Sequence, residues 1–581
     1  MSESESQPDP ETEQKPRLPS QPEPDRHLLR RYGPIGAVMV VVAALVGVSF
    51  LGDDEPASTS SDSTAPTATA EGELPEGVTT WTMAEQQGLD VDWPATCDTE
   101  TGQVAIPFFF RPECVVGGDE NDGATAPGVT GDTITVVAWL PNDSDPIYGI
   151  VRQALGIDDS VDEIRATYEG LAEVFQASYE TYGRTVELEF VQASGTMLDP
   201  VAARADAIRA AEYEPFAVWG GPLLASTWTE ELHARGIVCM ACPGIDDSAP
   251  SSFGIQPSQS QIQAHVVSYV TEKLAGGTAE FAGEGSQGEE RVFGLLYLTQ
   301  NDADERRVDR YVEAFDDEGI EIAETGMFPL DPGRAQELAT GIIARMKDAG
   351  VTTVIVRADP ITLPAFTREA TKQGWYPEWV IGGFQFTDTS TFARSFDQEQ
   401  WAHAFGLSFL PPAAPPDITP AYSLYQWFHG EPPPADDSLI LTYPQVALFF
   451  TALHLAGPDL TAEHYRDALF AFPPTPKART QPSVDYGFGI WHDPTKPRDD
   501  YEGDYEGIDD MVELWWDAEA EGPDETGAEG TGLYRYVNDG QRYLPSDYTP
   551  EIEVFDRERS VTQIVDPPAA EIPPEYPPPA G

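Results

Sequence analysis

The stretch from Phe216 to Leu274 constrains this chain more than any other. Phe216-Ala-Val-Trp-Gly220-Gly-Pro222 reads as a short strand ending in glycine, followed by a helix through Leu232 and a second strand, Ile237-Val-Cys-Met-Ala241. Phe253-Gly-Ile-Gln-Pro-Ser258 then leads into a new amphipathic helix with Ile262, Val266, Val270 and Leu274 on one face. Strand and helix alternate before this point, and the alternation starts afresh after it. A chain patterned this way builds two α/β halves joined by a crossover, each half a parallel sheet with helices on both faces.

Both halves can be followed in detail. The first opens with the strand Thr133–Leu140, then a helix with a Ser160/Glu163 capping box and Val161, Ile164, Tyr168, Leu171 and Phe175 on one face. Thr185 to Val191 alternates as a strand. Asp199-Pro200 supplies a cap and a first-turn proline for a helix expected to bury Val201, Ala205 and Ile208. In the second half the strand Val292–Leu298 leads to a helix with Val308, Tyr311 and Phe315, then a strand over Ile320–Ala323. Asp331-Pro332 is read as opening a helix with Leu338, Ile342 and Met346. Thr353–Val356, a helix ending at Gly374, and Trp379–Gly382 follow. Phe405–Leu410 reads as a return crossover toward a helix at Tyr443–Leu455, and Tyr486–Trp491 and Val512–Trp516 as a second return. Gly532–Val537 and Gln541–Leu544 look like a hairpin.

The ends of the chain differ from its middle. Residues 1–33 are rich in Ser, Glu, Gln and Pro and read as a disordered cytoplasmic tail. Ile35 to Leu51 is an uncharged apolar run of about 17 residues, near the lower limit for a membrane span. Arg26, Arg30 and Arg31 precede it, and Asp53, Asp54 and Glu55 follow, which places the N-terminus in the cytoplasm and the bulk outside. No cysteine follows the run closely and Ala68-Thr-Ala70 lies far beyond it, so residues 34–52 are read as an uncleaved anchor in the cell membrane. Residues 53–80 form a stalk, 81–128 an extension with a cysteine loop, and 129–560 the main domain. Its first lobe is expected over 129–253 and 411–480, and its second over 254–410 and 481–560. The Pro-rich residues 561–581 are expected to be disordered.

The formal net charge of −66 argues against nucleic acid as a partner, because phosphate binding needs clustered Lys and Arg. It fits a solvated acidic surface, the same reading given to the run Asp499–Asp510. The four cysteines form two candidate pairs, Cys97–Cys114 and Cys239–Cys242, and bridging the first would constrain the unfolded chain by about 3 kcal/mol. The C-x-x-C ends a strand instead of opening a helix, so structural pairing is preferred over redox chemistry. No metal site, cofactor motif or catalytic constellation is present, and the scattered histidines have no evident partner.

In parallel sheets ligands collect beyond the carboxyl ends of the strands. That places the expected site at Asn142, Asp143 and Ser144, at Gly220, Gly221, Pro222 and Leu223, and at Gly244 and Asp246 in the first lobe. In the second it comprises Gln300, Asn301, Arg357, Asp359, Phe384 and Gln385. Gly220 and Gly221 would let backbone amides approach a ligand or would merely make a tight turn. Arg357 would clamp a carboxylate or pair with Asp359. Trp139, Tyr148, Trp219 and Trp228 lie near the expected rim, where each would stack on a ligand or fill core.

The crossover phrasing and unit order over roughly residues 129 to 515 resemble the type I periplasmic binding proteins, the branched-chain amino-acid-binding relatives that serve ABC importers. The resemblance implies a two-lobed fold with a three-crossover hinge, a small-molecule solute held between the lobes, no enzymatic activity and ABC permease subunits as partners. Amino-acid-binding members hold the ligand's carboxylate with a hydroxyl and amides after the third strand, adding Ala-Thr-like residues after the fourth. Here those places are Leu223-Leu224 and Gly244-Ile245-Asp246, which puts amino-acid specificity in doubt. A membrane-linked sensor, an extracellular redox enzyme using Cys239 and Cys242, and an envelope scaffold are the alternatives.

Overall fold

The computed structural model describes Leu74 and residues 77–578, apart from 109–110, 118–120, 147, 150–151, 153–155, 223–224, 243–250, 300–301, 416–417, 474 and 488–504. The apolar run 35–51 therefore lies outside the described residues.

The expected two-lobed α/β architecture is found. In the first lobe, β1 (Thr133–Leu140), β2 (Thr185–Gln192), β3 (Ala217–Trp219), β4 (Val238–Met240) and β5 (Ser252–Phe253) form an all-parallel sheet in the order β2-β1-β3-β4-β5. Helix α1 (Val161–Ser178) carries the full capping box at Ser160 and Glu163, and all five residues expected on its inner face are buried. Helices α2 (Pro200–Ala211) and α3 (Thr227–His233) cover the opposite face.

Helix α4 (Gln259–Tyr269), running on as a π-helical turn to Leu274, begins the second lobe and buries Ile262, Val266, Val270 and Leu274 as expected. There β6 (Phe293–Leu298), β7 (Ile322–Phe328), β8 (Thr353–Arg357), β9 (Glu378–Gly382) and β10 (Ala404–Ser408) are parallel, in the order β7-β6-β8-β9-β10. Both lobes thus repeat one winding. Helix α5 (Asp302–Asp317) packs with α4 on one face, while α6 (Ala335–Asp348) and α7 (Leu363–Lys372) cover the other.

The chain then returns to the first lobe for α8 (Pro420–His429), α9 (Leu439–Ala456) and α10 (Ala462–Ala471), whose apolar side chains join the core over α1. By length and composition α9 is apolar enough to cross a membrane, but most of it is buried in this core. The chain crosses once more into the second lobe, where β11 (Met511–Pro523) pairs antiparallel with β10 and β12 (Glu529–Val537) pairs with β11.

The three crossings are tied together by hydrogen bonds. Gly254 donates to the Tyr505 carbonyl (2.8 Å) and accepts from Gly507 (3.1 Å), setting the first crossing beside the third. Arg542 Nε donates to Asp510 Oδ1 at 2.7 Å and Arg542 Nη2 to the Phe409 carbonyl at 2.9 Å, joining the third crossing to the second. Asp509, from the same segment, accepts from Gln261 and faces His265 through its carbonyl. Tyr505–Asp510, the end of the run read as a solvated acidic loop, is thus largely internal, and the Asp509 and Asp510 carboxylates have hinge partners.

Several expectations are corrected by packing. On α2, Val201 is 77% exposed and Ile208 40%, with Ala205 also outward; Ala203, Ala207 and Ala210 face inward instead. Small residues let α2 lie close to α3, and Asp206 on the same face accepts from the Ser194 amide and hydroxyl. Asp331-Pro332 does not cap α6. Asp331 accepts from the Arg334 amide within a turn, and the helix begins at Ala335. Phe405–Leu410 is no crossover but contains β10, buried on both faces within the second sheet. The strand at Gly532–Val537 pairs with β11, and β13 (Arg542–Tyr543) pairs with the start of β11 rather than with β12.

The termini of the described chain also pack. Val78, at the end of the stalk, and Val104, Ile106, Phe108 and Val115 of the extension enter the first-lobe core, and Cys97–Cys114 closes the loop that carries Val104, Ile106 and Phe108. Beyond β14 (Ser560–Val561), where composition suggests disorder, Tyr576 donates to Asp98, accepts from Arg111 and offers its carbonyl to Trp427.

Candidate functional site

The expected site lies where β1, β3, β4, β6, β8 and β9 end, and left-handed backbone occurs after β3, β4 and β9. Gly220 follows β3 at φ +72°, and its carbonyl accepts from Trp228 Nε1 at 3.0 Å. Ala241 follows β4 at φ +59°. After β9 come Gly383 (φ +64°), Gln385 (φ +46°) and Phe386 (φ +64°), the last two in a region L-residues rarely adopt. Such conformations persist only where surrounding structure holds them, and they cluster at binding sites.

In the first lobe, Asn142 Oδ1 accepts from the Ser144 amide at 2.9 Å, and exposed Asp143 lies 3.5 Å from Arg152. Gly220 and Gly221 are half-buried and Pro222 is buried. Leu223, Gly244 and Asp246 lie outside the described residues, as do Leu224 and Ile245. Trp219 and Trp228 are fully buried core residues, so neither lines a rim; Trp139 and Tyr148 are also buried. Beneath Gly220, Trp219 stacks on Tyr168 with ring centroids 6.0 Å apart, and Gln445 of α9 donates to the Tyr168 hydroxyl. Burial pushes the Tyr168 phenol above its ordinary range. Trp219 Nε1 and Gln445 Oε1 are buried with no hydrogen-bond partner among the described residues. Sequence reasoning missed Tyr168 and Gln445 as site neighbours, although a Gln in so apolar a helix was a readable signal.

In the second lobe, Arg357 at the end of β8 is fully buried. One Nη2–H donates to Gln259 Oε1, at the first residue of α4. Its guanidinium carbon lies 4.2 Å from the centre of the Phe384 ring, 5.6 Å from Tyr311 and 5.8 Å from Tyr297. Burial pushes the Tyr311 phenol up to about 12, against the pull of the Arg357 charge. Arg357 does not pair with Asp359, the partner considered from sequence. Asp359 accepts instead from the Ile361 and Thr362 amides, at 2.8 Å each, and from the Thr362 hydroxyl. Burial raises its pKa, against the pull of those hydrogen bonds. Phe384 is half-buried and Gln385 exposed. Gln300 and Asn301 lie outside the described residues. The structure therefore brings Arg357 and Phe384 together and adds Gln259, Tyr297 and Tyr311, which spacing could not reveal; Gln385 follows Phe384 in the turn but makes no described contact with Arg357.

Cys239 and Cys242 are bonded to each other, and β4 carries Cys239 into the core beside Trp228. The one acidic trio close enough to share an ion among the described residues, Asp159, Asp436 and Asp437, is engaged in capping: Asp159 accepts from the Ser438 amide and Asp437 from the Asp158 amide.

No family model matches the chain, and no curated protein matches it in sequence. Among solved structures, it is similar to a fatty acid ABC transporter substrate-binding protein from Thermomonospora curvata, with a TM-score of 0.44 and 15% identity over 74% of this chain and 98% of that one. An ABC transporter substrate-binding protein from Aeropyrum pernix gives 0.46 and 14%, over 72% and 97%. A branched-chain amino acid transporter substrate-binding protein from Streptococcus pneumoniae, solved with isoleucine, gives 0.42 and 14%, over 70% and 100%. The two-lobed α/β architecture rests on the chain's own strand order and crossings, and these substrate-binding proteins are what it is similar to.

Proposed function

We propose that this chain is a solute-binding protein of the type I periplasmic family, holding a small molecule between its lobes and presenting it to an ABC importer. The observation that carries the reading is the repeated winding: two sheets whose five parallel strands follow the same order, joined by three hydrogen-bonded crossings, with left-handed turns at strand ends of both. Two such bodies on a shared hinge can rock, and a ligand that touches both favours the closed form by its differential affinity. Asn142, Ser144, Gly220 and Gly221 offer polar contacts from the first lobe, Arg357 and Gln385 offer them from the second, and Phe384 adds an aromatic face. The chemistry is binding alone; no bond is made or broken.

Two disulfides suit an oxidising compartment, which supports placing the main domain outside the cytoplasm behind the apolar run 35–51. Native mass spectrometry of the protein purified from its own host tests the reading. A co-purifying small molecule that raises the melting temperature when added back is expected. A protein that carries no ligand and shows no thermal response across a broad metabolite panel would sink it.

A further inference from the structure

Among the described residues four arginines are buried: Arg184, Arg291, Arg357 and Arg542. Three have conventional partners. Arg291 pairs with Glu378 at 2.9 Å and Arg542 with Asp510 at 2.7 Å, while Arg184 donates to the Thr130 and Pro458 carbonyls at 2.9 and 2.8 Å. Among the described residues Arg357 alone has neither a carboxylate nor a backbone carbonyl as partner. Its Nε and Nη1 are buried without any acceptor among the described residues, and its one hydrogen bond there goes to the neutral Gln259 amide. An uncompensated buried charge is strongly destabilising. Three aromatic faces offset part of that cost. They leave the open N–H donors unanswered.

The position of the side chain says what would answer them. Arg357 ends β8, next to the strained Gly383–Phe386 turn that follows β9, and half-buried Phe384 lies over the guanidinium. We infer that Arg357 is the anchor for an anionic ligand group, and that the solute is a carboxylate with an apolar or aromatic body, its charge held by the second lobe. This rests on the solute-binding reading above and specifies its ligand class. Nε–H or Nη1–H, each beside the second N–H of Nη2, would meet both oxygens of a carboxylate, and Tyr297, Tyr311 and Phe384 would enclose the carbon skeleton beside it.

The test uses the full chain in detergent, with phenylacetate and octanoate as probes, each set against its primary amide. Calorimetry is expected to show the acid binding and the amide at least tenfold weaker. Arg357→Gln should lower affinity for the acid at least tenfold, and Arg357→Lys should restore part of it. The ligand-free melting temperature separates anchor from scaffold: Arg357→Met should hold or raise it if the cation awaits a ligand, whereas a marked fall would assign Arg357 to the core and overturn the inference. Where neither probe binds, the molecule carried from the host decides. An anion supports the inference; a neutral or cationic molecule overturns it but leaves solute capture standing. A protein that binds nothing removes both.

Discussion

At the scale of single residues, the hinge depends on a buried ion pair. Arg542 and Asp510 are each wholly buried and, with the Phe409 carbonyl and the Ser483 amide, join two crossings. Arg542→Ala would leave Asp510 charged, buried and unpaired, so a loss of about 3–5 kcal/mol is expected in urea unfolding. Replacing both members with apolar residues of similar size should cost much less. Two histidines make stability depend on pH. Burial lowers His265 and His454 to about 4 each, below the value near 6.5 of an unfolded chain. As pH falls from about 6.5 toward 4 the unfolded chain takes up two protons that the folded one refuses, so stability drops across that window. Asp388, raised to about 6 by burial, works in the opposite sense below pH 6. Replacing His454 with Gln should reduce the loss between pH 6.5 and 5 by about 2 kcal/mol, read from urea midpoints at the two values. None of these partnerships is legible in sequence, where the histidines look scattered because their partners lie far away in the chain: the Glu113 carbonyl and Glu180 amide for His454, and Asp509 and Tyr548 for His265.

At the scale of elements, what is local was readable. The Ser160/Glu163 box lies within one turn, and α1 starts where the box places it. Ser160→Ala should cost about 1 kcal/mol, seen as a lowered melting temperature with no change in architecture. Helix α2 shows the opposite. Its pattern offered two faces, one with Val201 and Ile208 and one of alanines. The larger side chains suggested the first, but close approach to α3 selected the second. Ala207→Leu is therefore expected to cost about 1–3 kcal/mol by overpacking, and Val201→Ser to stay within about 0.5 kcal/mol. Equal results for the two in thermal unfolding would contradict the packing described. The strand at β10 was misassigned for a related reason: an apolar run buried on both faces looks the same whether it ends a lobe or leaves it.

At the scale of the whole molecule, two windings share one hinge, and the chain's ends reinforce the first lobe. The extension fills its core, and Tyr576 reaches back to Asp98, Arg111 and Trp427. If the lobes close on a solute, small-angle scattering should show a smaller radius of gyration with the co-purified molecule than without it. An unchanged radius would argue against closure. The alternation of strands and helices, the restart at Ser258 and the Ser160/Glu163 capping box were determined by sequence alone, because each is a contest among residues a few positions apart. The buried Arg357 among three rings, the Tyr168–Gln445–Trp219 assembly and the exposed face of α2 were decided by tertiary structure. Each depends on which surfaces meet after the chain has crossed three times between its lobes, and no local pattern encodes that meeting.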